Sequence, residues 1–120
     1  MSKKTLVLGA SLKTDRYSNI VIHRLRKHGH DVVAFGLKSG KVNDISIDTE
    51  LLPYEAVDTV TLYLNPKHQE AYYDYVISLN PKRVIFNLGT ENPEFYNLLK
   101  AHQINFEVAC SLVLLSTSQY

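Results

Sequence analysis

Short apolar runs and helix-like segments alternate along the chain. Apolar positions at helical spacing predict helices that begin near residues 17, 66 and 93. The segments between them are rich in β-branched and apolar residues. Five such runs are typical of strands: residues 4–8, 31–35, 58–64, 83–86 and 105–109.

Local residues mark where the predicted helices begin. Ser18 or Asp15 is the expected N-cap of the first helix. The pairs Asn65-Pro66 and Asn92-Pro93 each place a capping side chain before a proline at the first helical position. The second and third predicted helices therefore have well-defined starts.

Two segments have no sustained period. Residues 36–57 predict a long connection, with a short strand near residues 42–47 and a helical turn near Pro53. Residues 112–115 are apolar enough to pack on the rest of the chain, either as a strand or as a helical turn.

Five strands that alternate with helices predict a parallel sheet with right-handed crossovers. We therefore expect one three-layer Rossmann-like α/β domain over residues 1–120, with a mainly parallel five-stranded sheet in the order 3-2-1-4-5. Ligands bind such sheets at the carboxyl ends of the strands, near the point where the strand order reverses. In the expected order this point lies between strands one and four, beside residues 9–16 and 87–91.

The turn after the first strand is a candidate phosphate site. Gly9-Ala10-Ser11 follows the strand, and a helix begins shortly afterwards. Such a turn brings unpaired N–H groups and the positive end of a helix to one spot, which suits an anion. Gly9 removes a side chain that would obstruct a ligand, and the Ser11 hydroxyl can donate a further hydrogen bond. An ordinary strand-to-helix turn is the alternative, because a single glycine is a weak motif.

Charge divides the chain into two halves. Residues 1–41 carry nine Lys or Arg against two Asp, whereas residues 42–120 carry four Lys or Arg against ten acids. An anionic ligand is therefore favoured near the glycine turn, which lies in the basic half. Among its cations, Lys13, Arg16, Lys38 and Lys41 lie in predicted loops. Nucleic acid is not expected, because the net charge is only +1 and no aromatic-plus-basic motif occurs.

Composition excludes several other classes of protein. No apolar stretch is long enough to cross a bilayer or resembles a secretion signal, so we expect a cytoplasmic protein without membrane contact. The single cysteine, Cys110, cannot form an internal disulfide. The five histidines lack zinc-ligand spacing, so no metal is expected. We assign no catalytic residue, since no candidate nucleophile or base has an identifiable activating partner.

The segment after the second predicted strand indicates which nucleotide ligands the site would accept. An NAD site needs an acidic residue about 20 positions after the glycine turn, where this chain has Phe35-Gly36. The next residues, 37–41, contain Lys38 and Lys41, which suit an extra phosphate better than a bare ribose. NADP and coenzyme A (CoA) both carry such a phosphate. A ligand-free interaction module on the same scaffold is a third alternative.

Four motifs together resemble the small CoA-binding Rossmann-like proteins, which are similar in turn to the N-terminal domain of the succinyl-CoA synthetase alpha subunit. They are Gly9-Ala10-Ser11, the Asn-Pro pair after strand three, residues 86–93 after strand four, and a cysteine just after strand five. The resemblance covers almost the whole chain. It implies a protein that binds CoA or acyl-CoA through its phosphates, as a carrier, sensor or accessory module without evident catalysis.

The resemblance also implies which residues contact CoA. The phosphates would lie at the glycine turn and beside Lys38, and the adenine would lie beside residues 64 and 65. The pantetheine arm would lie along Asn87, Gly89 and Thr90. The thiol would lie near Cys110. The full set of expected contacts is Gly9, Ala10, Ser11, Leu12, Lys13, Arg16, Gly36, Lys38, Leu64, Asn65, Asn87, Gly89, Thr90 and Cys110.

Overall fold

Strands and helices alternate through residues 2–120, the part of the chain that the computed structural model describes; Met1, the first residue of the predicted domain, lies outside it. The strands are β1 (Thr5–Ala10), β2 (Val32–Gly36), β3 (Gly40–Val42), β4 (Ile45–Asp48), β5 (Thr59–Leu62), β6 (Arg83–Phe86) and β7 (Asn105–Val108). The helices are α1 (Tyr17–Lys27), α2 (Pro66–Gln69), α3 (Tyr73–Leu79), α4 (Pro93–Ala101) and α5 (Ser111–Ser116), and a 3₁₀ turn, Glu70–Tyr72, joins α2 to α3.

All strands belong to one mostly parallel sheet in the order β3-β4-β2-β1-β5-β6-β7, in which only β3 and β4 pair antiparallel. The predicted Rossmann-like α/β fold is therefore confirmed. The prediction of five strands in the order 3-2-1-4-5 is wrong. The third predicted strand, now β5, pairs directly with β1, from Thr5 opposite Thr59 to Leu8 opposite Leu62. The place outside β2 is taken by the hairpin of β3 and β4.

The hairpin lies within the predicted long connection. Its strands have three and four residues, and the short strand predicted near residues 42–47 overlaps both of them. Asn43 adopts a φ of 58° between them, a conformation that asparagine tolerates in tight turns. Ile47 of β4 is buried and pairs with Ala34 of β2. Near Pro53 the chain forms no helical turn, contrary to expectation.

Apolar side chains form a core on each face of the sheet. Leu6 and Leu8 of β1 face the layer of α3 and α4, whereas Val7 faces the layer of α1 and α5. Phe95 of α4 packs in the first of these cores and Leu115 of α5 packs in the second, and both side chains are buried. This is the expected three-layer arrangement. None of the helices in residues 2–120 is long and apolar enough to cross a membrane.

The strand order reverses between β1 and β5, because the chain crosses from β1 to β2 on one side and from β5 to β6 on the other. In such sheets the reversal opens a crevice at the carboxyl ends of the strands. The loops after β1 and β5 therefore flank the crevice, and residues 87–91 lie one strand further away.

Candidate functional site

The loops after β1 and β5 are in direct contact at the carboxyl edge of the sheet. The Tyr63 N–H donates to the Leu8 carbonyl at 2.9 Å. Gly9 has a φ of +102°, and a Cβ atom built on it would lie 3.1 Å from the Leu64 side chain. A side chain at this position would therefore strain the backbone and displace Leu64.

The turn from β1 into α1 leaves backbone and hydroxyl donors free. Arg16 occupies the N-cap position without a side-chain hydrogen bond, so the predicted caps Ser18 and Asp15 are wrong. The N–H groups of Tyr17 and Ser18 donate to no acceptor within residues 2–120. The Ser11 Oγ accepts the Lys13 N–H at 3.1 Å, which leaves the hydroxyl hydrogen available.

Basic side chains surround this helix end. Lys13 and Arg16 are exposed in the turn itself, where Asp15 is the only acid. Lys38 is exposed in the turn after β2, the strand adjacent to β1. The ion pairs described for residues 2–120 join Arg26 to Asp44 and Arg83 to Glu107, so they use none of these cations.

Two expected contact residues shape the turn through packing. Gly36 is buried and lies opposite Ala10, and a Cβ atom there would collide with the Ala10 carbonyl oxygen. Leu12 lies over the hairpin, where a Cβ atom on Gly40 would come within 2.7 Å of its Cδ2. Gly36 therefore allows β2 to approach the glycine turn, and Leu12 holds the turn against the hairpin.

Asparagine side chains cap the helices that follow β5 and β6, as predicted. Asn65 is exposed, and its Oδ1 accepts the His68 N–H at 3.2 Å. Asn92 is buried, and its Oδ1 accepts the Phe95 N–H at 3.3 Å. Exposed Asn65 thus follows half-buried Leu64 at the rim of the crevice.

Gln69 ties the loops after β5 and β6 together. Its side chain is 1% exposed, and its Nε2 donates to the carbonyls of Leu64 and Thr90, each at 2.8 Å. Its Oε1 accepts from Asn92 Nδ2 at 3.0 Å. Gln69 was not predicted as a site residue, because a glutamine in a short helix ordinarily faces solvent.

Asn87 joins three elements through a buried side chain. Its Nδ2 donates to Thr61 Oγ1 at 2.7 Å and to the Leu62 carbonyl at 2.9 Å. Its Oδ1 accepts the Ser111 N–H at 2.9 Å. Both amide hydrogens are used inside the protein, so this side chain fixes β5, β6 and the start of α5 relative to one another.

The other two expected CoA contacts in the loop after β6, Gly89 and Thr90, differ in their exposure to solvent. Thr90 is buried, and its Oγ1 donates to the Asn87 carbonyl at 2.7 Å. Gly89 is exposed with a φ of +92°, and its N–H donates to Glu91 Oε1 at 2.7 Å. Of the three expected CoA contacts in the loop after β6, Gly89 is therefore the one that faces solvent.

Cys110 lies at the far end of the same edge. It is exposed at the N-cap position of α5, two residues after the end of β7. The Ala109 N–H donates to the Phe86 carbonyl at 3.1 Å, which holds this segment against β6. Lys38 and Cys110 follow strands that are four strand spacings apart, or about 19 Å.

The titratable groups near this edge give no clear catalytic pair. Burial raises the pKa of Tyr63 above its ordinary value, so the phenol stays protonated at neutral pH. Within residues 2–120, no three or more His, Cys, Asp or Glu side chains are grouped as metal ligands would be. The free groups at the edge are N–H donors, hydroxyls and cations, which bind anions.

Two open grooves lie at the opposite, amino-terminal edge of the sheet. Their volumes are about 370 and 410 Å³, and both are lined by Asp58 and Lys82. Neither includes an expected contact residue. Parallel sheets bind ligands at the carboxyl ends of their strands, so we assign the candidate site to the glycine-turn edge.

A family model described as "CoA binding domain" matches residues 3–116. The chain belongs to the CoA binding domain family. The resemblance inferred from the sequence motifs is therefore confirmed. A comparison with curated proteins gives no match.

Solved structures agree with this family fold. A crystal structure of an uncharacterized protein is 46% identical, with a TM-score of 0.97 over 100% of this chain and 99% of that one. A hypothetical protein from Pyrococcus horikoshii OT3 is 25% identical, with a TM-score of 0.85 over 98% of this chain and 84% of its own. A Thermus thermophilus protein that is 24% identical shares the fold, with a TM-score of 0.88 over 99% of this chain and 91% of that one.

Proposed function

We propose that this protein binds CoA or acyl-CoA across the carboxyl edge of its sheet, as a carrier, sensor or accessory module. The observation that carries the proposal is membership of the CoA binding domain family over residues 3–116. The geometry of the glycine turn supports it independently, since free N–H groups, a hydroxyl and unpaired cations meet where the strand order reverses.

The donor set fits the phosphates of CoA. The free N–H groups of Tyr17 and Ser18 and the Ser11 hydroxyl would hold the pyrophosphate. Lys13 and Arg16 would balance its charge. Lys38, one strand away, would contact the phosphate on the ribose, which NAD lacks.

The remaining expected contacts would hold the rest of the ligand. Exposed Asn65 and half-buried Leu64 lie beside the turn and would flank the adenine. Gly89 would line the path of the pantetheine arm, with Asn87 and Thr90 fixing the loop beneath it. The edge from Lys38 to Cys110 spans four strand spacings, so a long, extended ligand suits it.

Native mass spectrometry of freshly purified protein tests the proposal. Protein incubated with equimolar CoA should show a one-to-one adduct that survives desalting into volatile buffer. The control is NADPH at the same concentration, for which we expect no retained adduct. Retention of NADPH and not of CoA would overturn the proposal in favour of a nicotinamide-binding domain.

A further inference from the structure

Seven large apolar side chains of the described residues are exposed, and most of them lie at the carboxyl edge of the sheet. Each lies at the carboxyl end of a strand or in the segment that follows it. They are Leu12, Tyr17, Leu37, Leu51, Leu88, Val108 and Val113. Exposed apolar groups that concentrate on one edge mark a surface used in binding.

Three of these residues lie in the segments at the end of the edge that carries Cys110. Leu88, Val108 and Val113 are 88%, 54% and 56% exposed, and we call them the thiol-end patch. Val108 lies opposite Phe86, and Leu88 follows Asn87, whose Oδ1 is bonded to the Ser111 N–H. These pairings bring the loop after β6 and the start of α5 together.

Charge is distributed unevenly along the same edge. Residues 108–120 contain no Asp, Glu, Lys or Arg, and neither do residues 87–90. The nearby carboxylate of Glu91 accepts the Gly89 N–H at 2.7 Å. The cations Lys13, Arg16 and Lys38 all lie at the other end, after β1 and β2. The edge is therefore cationic at one end, whereas the other end is apolar and has no Lys or Arg in residues 87–91 or 108–120.

We infer that the CoA thioester that this site prefers carries an apolar acyl group, and not one that ends in a carboxylate. This inference rests on the proposed function, in which the sulfur of CoA lies near Cys110. An acyl chain that extends past the sulfur would cover the thiol-end patch and remove apolar surface from water. A terminal carboxylate placed there would lose water without gaining a cation.

Calorimetric titration with butyryl-CoA and succinyl-CoA tests the inference, because both acyl groups have four carbons and only one ends in a charge. Butyryl-CoA should bind at least threefold more tightly than CoA, since each fully buried methylene contributes up to about fourfold. Succinyl-CoA should bind no more tightly than CoA. Equal affinity for the two acyl forms would overturn the inference, whereas absence of CoA binding would overturn the proposed function itself.

Leu88→Lys and Leu37→Lys form a matched pair for the same titration. The two leucines are 88% and 86% exposed, and they lie at opposite ends of the edge. Leu88→Lys should shift the ratio of succinyl-CoA to butyryl-CoA affinity at least fivefold towards succinyl-CoA. Leu37→Lys adds the same charge and should leave that ratio unchanged. An equal shift in both variants would show that net charge, and not the patch, sets the preference.

The thiol-end patch could instead contact a second copy of the protein, and light scattering tests this alternative. We expect the wild type and Leu88→Lys to have the same molar mass at all concentrations used in the titration. A wild-type dimer that becomes monomeric in Leu88→Lys would overturn the inference, because the patch would then be an interface between copies.

Discussion

Glycine and serine at the first turn serve different purposes. Gly9 is required by its positive φ and by its contact with Leu64, so its identity follows from the backbone. Ser11 contributes one hydrogen bond to the turn and keeps its hydrogen free. Ser11 is therefore the residue at which ligand binding can be changed with little effect on the fold.

Two substitutions of Ser11 test separately its hydrogen bond to the ligand and the space that it leaves for the phosphates. Ser11→Ala should weaken CoA binding by about 1 kcal/mol, the contribution of one hydrogen bond. Ser11→Leu should abolish measurable binding, because its side chain fills the space that the phosphates need. Calorimetry measures both affinities, and thermal unfolding checks that both variants fold. Full CoA affinity in a folded Ser11→Leu protein would mean that the pyrophosphate lies elsewhere.

Lys38 should distinguish CoA from dephospho-CoA, which lacks the phosphate on the ribose. Lys38→Ala should lower the affinity for CoA about fivefold, the order expected of an exposed charge pair, and leave that for dephospho-CoA unchanged. Lys27→Ala is the matched control, since Lys27 is an exposed lysine in the last turn of α1. If Lys38→Ala weakens both ligands equally, the lysine does not contact that phosphate.

At the scale of elements, Gln69 connects the helix after β5 to the loop after β6. Gln69→Met keeps the length of the side chain but leaves the Leu64 and Thr90 carbonyls without their donor. We expect the free energy of unfolding to fall by about 3 kcal/mol, because buried groups that lose their partners are costly. Chemical denaturation measures it, and Gln119→Met, at an exposed position, is the control.

The same substitution should also affect the ligand. If Gln69 sets the spacing of the two loops, Gln69→Met should weaken CoA more than ADP, which reaches only the phosphate turn and the adenine contacts. Equal losses for CoA and ADP would indicate that Gln69 supports the fold without positioning the pantetheine path.

The elements differ in how well their sequence predicts them. Apolar runs of four to seven residues predict five of the strands, and the Asn-Pro pairs predict two helix starts, because these features depend on local residues. The β3 and β4 hairpin depends on pairing with β2 across a few residues, and the position of β5 beside β1 depends on the whole sheet. Local residues predict a short strand near residues 42–47, but neither its division into a hairpin nor the position of β5. Gln69 was missed for the same reason, since its burial results from tertiary contacts.

At the scale of the whole molecule, the two edges of the sheet differ in chemistry. The carboxyl edge carries free donors, cations and exposed apolar groups. The amino-terminal edge carries the two open grooves and internal contacts beside them, among them the Lys3 N–H to His30 Nδ1 at 2.9 Å and Thr5 Oγ1 to Tyr120 OH at 2.7 Å. The second contact joins the first strand to Tyr120, and Lys3 Nζ also donates to the Tyr120 carbonyl at 2.6 Å, so this edge contributes to stability.

His30 makes that stability depend on pH. Burial lowers its pKa below 6.5, and the nearby charges of His28, Lys3 and Arg83 act in the same direction. The unfolded chain therefore takes up the proton first as the pH falls below about 6.5, and the free energy of unfolding decreases until the folded pKa is reached. His30→Gln should flatten this dependence below pH 6.5 in denaturant titrations. His102→Gln, at an exposed position, should not.

The most direct test of the account is a calorimetric titration of the wild-type protein with CoA, dephospho-CoA and ADP at one pH and salt concentration. We expect saturable one-to-one binding of CoA, weaker binding of dephospho-CoA and the weakest binding of ADP. This order follows from contacts with the ribose phosphate, the pyrophosphate and the pantetheine arm along a single edge. The absence of heat with CoA, or equal affinity for all three ligands, would contradict the account.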